Sequence, residues 1–101
     1  MSRRIFDGGF DYGEQHFYPN VLEGVGASTI LHEHKFPHVA LFYPGQDGDQ
    51  CGYEVYAIRS TGEEVKMPMD AWCFVYIEAG IKHRVTLTKG EHGRFICMFC
   101  R

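Results

Sequence analysis

At 101 residues the chain can close one hydrophobic core but not two, so residues 1–101 are expected to form a single domain. A hydrophobic content of 45% with 15% aromatic residues argues against disorder. Ten basic against thirteen acidic residues give a net charge of −3, and no basic run exceeds Arg3-Arg4, which excludes a basic nucleic-acid-binding face. No apolar run reaches the length of a signal-peptide core or a membrane span, so a soluble, cytoplasmic protein without a membrane partner is expected.

In chain order, the sequence predicts eight strands. They cover Gln15 to Leu22, Ala27 to His34, His38 to Tyr43, Tyr53 to Arg59, Glu64 to Met67, Trp72 to Glu78, His83 to Thr88 and Arg94 to Cys100. Turn residues separate them. Gly45-Gln46-Asp47-Gly48-Asp49 reads as a polar loop, Ser60-Thr61-Gly62-Glu63 as a hairpin, and Lys89-Gly90-Glu91-His92-Gly93 as the loop before the last strand. No window keeps helical periodicity over three turns, and no repeat or low-complexity tract occurs. Short strands punctuated by glycine imply an all-β sandwich or closed barrel.

The four cysteines, Cys51, Cys73, Cys97 and Cys100, are expected to be buried or half-buried free thiols. Cys97 and Cys100 have C-x-x-C spacing, but the run Arg94 to Cys100 reads as a strand. On a strand, residues three apart point to opposite faces, which disfavours a shared metal.

The histidines carry the candidate chemistry. His32, His34 and His38 fall in one stretch and His83 some fifty positions later, while His16 and His92 read as ordinary surface or core residues. Strand alternation would put Ser28, Ile30, His32 and His34 on one face. The Cα atoms of His32 and His34 would then lie roughly 6.5 to 7 Å apart, close enough for two imidazoles to reach one ion. The same alternation turns Glu33 away. Neutral imidazoles suit zinc, iron, nickel and copper, and a histidine cluster without a nearby cysteine disfavours a soft thiolate site. The aromatic residues Phe42, Tyr43, Tyr53, Tyr56, Trp72, Phe74, Tyr76, Phe95 and Phe99 read mainly as core.

The histidine spacing resembles that of the cupin superfamily. Cupins carry a first motif G-x5-H-x-H-x3,4-E-x6-G, and here Gly26, His32, His34, His38 and Gly45 keep every interval, with His38 in the place of the glutamate. The second motif, G-x5-P-x-G-x2-H-x3-N, survives as Gly80-Ile81-Lys82-His83, with Trp72, Glu78 and Leu87 at its first Gly, Pro and Asn positions. The resemblance implies a double-stranded β-helix, or jelly-roll barrel. It also implies a divalent transition metal (iron, zinc, nickel or manganese) held inside by His32, His34, His38 and His83, and a homodimer.

A ligand set of four imidazoles leaves the ion its full charge, which favours a small anionic organic ligand. Three functions fit this expectation: an enzyme such as an iron(II) dioxygenase, a non-catalytic small-molecule or metal-binding module, and a metal-dependent lyase or isomerase. A facing acid or base would discriminate among them, and the available candidates are Tyr43, Tyr53, Tyr56 and Tyr76.

Overall fold

The computed structural model describes residues 3–6, 9–12, 15–45 and 50–99, with side chains from residue 19 onward. The described residues form nine strands and no helix: β1 (Arg3–Phe6), β2 (Gly9–Tyr12), β3 (Gln15–Glu23), β4 (His38–Tyr43), β5 (Gly52–Ile58), β6 (Glu64–Asp70), β7 (Phe74–Ile77), β8 (Lys82–Lys89) and β9 (His92–Phe99). They make two antiparallel sheets. One has the order β1-β2-β3-β9-β4-β7 and the other β6-β5-β8. This is the expected all-β double-stranded β-helix.

Alternation builds the core between the sheets. Along β8, His83, Val85 and Leu87 are buried while Lys82, Arg84 and Thr88 face solvent, and β5 buries Tyr53, Val55 and Ala57 in the same rhythm. Opposite them lie Leu22, Ala40, Phe42 and Phe95. Tyr53 fastens one sheet to the other. Its hydroxyl donates to the Tyr43 carbonyl at 2.7 Å and accepts the Arg94 backbone N–H at 2.7 Å. Gly93 lets this happen, because a Cβ there would sit 2.7 Å from both the Tyr53 ring and Leu87.

Two expected strands are modified. The predicted strand Ala27 to His34 is not continuous: it pairs with β8 in two isolated bridges, Ser28↔Thr86 and His32↔His83, with single backbone bonds at Ala27 and Thr29 beside them. Four steps on one side match three on the other, so the stretch carries one extra residue, a bulge. Ser28 therefore pairs outward with Thr86, while His32 pairs inward with buried His83. The expected common face for Ser28 and the histidines is lost. Within the bulge, Thr29 Oγ1 accepts the Val85 N–H at 3.0 Å, replacing a backbone partner with a side chain.

The other change is at Trp72, which was expected to open a strand but lies in the turn before β7 with φ of +69°. Its N–H bonds to the Phe42 carbonyl at 2.6 Å, and its ring packs on Tyr43. The hairpin at Gly62 is as expected, with φ of +91° and the Arg59–Glu63 backbone bond closing it. The Gly45–Asp49 loop lies mostly outside the described residues. β1 and β2, which the strand pattern did not foresee, extend the larger sheet through β3. Cys51 is buried and Cys97 half-buried, but Cys73 is exposed beside the turn, and none of the three is in a disulfide. Cys100 lies outside the described residues.

Candidate metal centre

The bulged stretch and β8 bring His32 and His83 together directly. Their backbones exchange both hydrogen bonds, at 3.0 and 2.8 Å, so the two side chains stand side by side with ring centroids 4.4 Å apart. His34 follows two residues later. Its carbonyl is held by the Gly80 N–H at 2.9 Å, and its ring lies 4.7 Å from that of His32 and 5.3 Å from that of His83. One nitrogen from each of these three rings falls within 4.8 Å of the others.

His38 opens β4 between Ile77 and Phe99, and it is 2% exposed. Its ring stacks on Phe99 and lies 5.0 and 5.1 Å from those of His34 and His83. All four expected histidines thus share one cluster, with His38 outside the tightest group of donors. Its Nδ1 is buried without a hydrogen-bond partner.

The backbone orients two of the rings. His32 Nδ1 lies 2.6 Å from the Ile30 carbonyl, and His83 Nδ1 lies 2.8 Å from that of Ile81. A carbonyl only accepts, so each Nδ1 carries the proton and each Nε2 keeps its lone pair for a ligand. Burial, then the charges of His32 and His83, lowers the His34 pKa. His83 is lowered by burial against the opposing pull of the Ile81 carbonyl. Burial, followed by the neighbouring His83, His34 and His32, pushes His38 down to about 4. At neutral pH these three rings are therefore neutral, the state that metal ligation requires.

These residues fit a transition-metal ion. Bonds of about 2.0–2.1 Å limit donors on one ion to a separation of roughly 4.2 Å, so the 4.8 Å group needs to draw in by a few tenths of an ångström. The unpartnered Nδ1 of His38 marks a further polar group in want of a partner.

The cluster forms one end of a cavity of about 630 Å³. Ile77, Val85, Phe95, Phe99 and Ala40 supply apolar walls, while Ile30, 80% exposed, and Phe36, 45% exposed, stand at the rim. Asn20 and Cys97 also line it, with Asn20 Nδ2 3.8 Å from Cys97 Sγ. Burial pushes the Cys97 thiol up to about 11, so it stays protonated. Strand alternation on β9, with Phe95, Cys97 and Phe99 on one face, is the sequence signal that would have found this wall.

Among the described residues, no lysine, arginine, carboxylate or tyrosine lines the cavity. The tyrosines expected as acid or base candidates lie elsewhere. Tyr53 serves the core, Tyr56 bonds Glu64 at the surface, Tyr43 packs against Trp72, and Tyr76 is exposed. His92 opens β9 opposite Glu23, at the end of that strand remote from Phe99. His16 pairs in register with Phe99, and its side chain lies outside the described ones. Glu33 is exposed, as alternation suggested.

Two facing antiparallel sheets with histidines clustered at one end define a cupin-type barrel. No family model and no curated protein matches the sequence. Solved structures do. The chain is similar to an oxalate decarboxylase of Lactobacillus farciminis, solved as a formate complex, with a TM-score of 0.75 and 22% identity over 99% of this chain and 30% of that one. It is similar to an oxalate decarboxylase of Bacillus subtilis, with a TM-score of 0.74 and 18% identity over 97% and 26%. The cupin domain of Drosophila melanogaster CENP-C gives 0.68 and 12% over 98% and 74%. The chain has the cupin fold and spans less than a third of the length of these decarboxylases.

Proposed function

We propose that the chain is a metal-dependent cupin in which His32, His34 and His83, with His38 beside them, hold a divalent transition metal and the cavity receives a small anionic molecule. The observation that carries this reading is the three-histidine group, whose nitrogens lie within 4.8 Å of one another, with two rings turned by backbone carbonyls to offer Nε2. One of the similar structures concerns the Mn(II) centres of Bacillus subtilis oxalate decarboxylase, which supports a metal of this class. Iron, zinc, nickel and copper suit imidazole donors, while manganese favours oxygen ligands.

A bound divalent ion would supply Lewis acidity and, if it were iron or manganese, a redox couple. The chain's own residues orient His32 and His83, keep His34, His38 and His83 neutral, and exclude water with Phe95, Phe99, Ile77 and Val85. Described residues place no carboxylate, lysine or tyrosine in the cavity, which favours chemistry centred on the ion, such as that of a dioxygenase, over a lyase or isomerase needing a separate base. The same absence favours a second reading, a binding module without turnover. Elemental analysis of protein purified without an affinity tag, followed by oxygen-uptake assays of the iron(II)-loaded form with a library of organic acids, separates the two. Ligand binding with no uptake or product under any metal would leave the module.

This reading also takes residues 1–101 as one cytoplasmic domain that pairs with a second copy. Support for pairing comes from Trp72, Phe74 and Tyr76, which are exposed on and beside the edge strand β7. Among the described residues, no helix is long and apolar enough to cross a membrane.

A further inference from the structure

Building on the metal reading, we infer that the cavity's ligand joins an anionic oxygen-donor head to an apolar body at least the size of a phenyl ring. The head belongs at the histidine end, where the ion would be the only positive charge among the described lining residues. The body is set by what lies beyond. A cavity of about 630 Å³ is of the size that holds drug-sized ligands. A compact acid such as oxalate would fill a small part of it and leave Ile77, Val85, Phe95 and Phe99 wetted.

The remaining polar groups, Thr29, Asn20 and Cys97, are uncharged and offer a second anionic group no positive charge. Thr29 Oγ1 already accepts the Val85 N–H, and Asn20 Nδ2 is directed at Cys97 Sγ. A carboxylate placed among these walls would lose its hydration without gaining a cation. An aromatic or branched aliphatic group gains instead, because it covers apolar surface from the cavity floor to Phe36 at the rim. The substrate in the names of the structural neighbours is therefore not the one this cavity is shaped for.

The test uses two ligands with one head. Pyruvate and phenylpyruvate carry the same 2-oxo acid, and only the second has an aromatic body. Isothermal titration of each into the Co(II)-loaded protein should show phenylpyruvate binding at least about tenfold more tightly. Phe36→Ala should cost phenylpyruvate about threefold or more and leave pyruvate within about twofold. Phe36 is partly exposed, so the variant should fold. Equal affinities for the two acids, or an unchanged phenylpyruvate affinity in Phe36→Ala, would overturn the inference while the metal reading stood. Failure of Co(II) to bind at all would overturn the metal reading, and the inference with it.

Discussion

Replacing His38 with leucine should make the metal-free protein more stable, and far less sensitive to acid. His38 is 2% exposed and its Nδ1 has no partner, so the apo fold carries an unsatisfied polar atom costing about 1–3 kcal/mol. Leucine has a similar volume and removes that atom, although it gives up the stack on Phe99. The pH effect is sharper. In the folded chain the His38 pKa falls from 6.5 to about 4, so between these values the unfolded chain binds the proton more strongly. Stability is therefore present above pH 6.5 and lost as the pH falls toward 4. At pH 5 the loss from this one group is about 2 kcal/mol, with His34 and His83 adding to it in the same direction. Urea unfolding of chelator-treated protein at pH 7.5 and pH 5 measures this directly. The His38→Leu variant should lose about 2 kcal/mol less than the unsubstituted chain across that interval. Equal losses in the two proteins would show that His38 is not the depressed group.

Two further substitutions test the frame that positions the site. Tyr53→Phe removes the hydroxyl that joins Tyr43 and Arg94, and should cost about 1–3 kcal/mol by urea unfolding while leaving the Co(II) affinity unchanged. Gly93→Ala forces a methyl group to within 2.7 Å of Tyr53 and Leu87, and should lower stability by about 1–3 kcal/mol; an unshifted urea midpoint would mean that the sheets yield at that point.

Much of this site was readable from residue order. The interval from Gly26 through His32 and His34 to Gly45, with Gly80-Ile81-Lys82-His83 later, anticipated the meeting of His32, His34, His38 and His83 on a β-barrel. What alternation misjudged was the path into it. Ser28 and His32 are an even number of residues apart, which on a regular strand means one face, yet they lie on opposite faces because the bulge adds a residue. Nothing in Ala27–Leu31 announces a bulge, since its cause is the pairing with β8 and the Thr29 hydroxyl that completes it. Trp72 misled for a related reason. A large aromatic favours a strand, but here backbone bonds to Phe42 and Asp70 hold a turn and leave the residue left-handed. The cavity walls were partly legible, in the Phe95, Cys97 and Phe99 face of β9. Asn20 was not, because its place depends on how β3 pairs with β9.

If His32, His34 and His83 form a metal centre, a titration of chelator-treated protein with Co(II), followed by visible absorption and elemental analysis, will register it. The unsubstituted chain should take up about one ion per chain, with absorption characteristic of nitrogen ligation. The double variant His32→Ala/His34→Ala should take up none while keeping the circular dichroism of a β-fold. Full stoichiometry in that variant, or no uptake by the unsubstituted chain, would contradict this assignment.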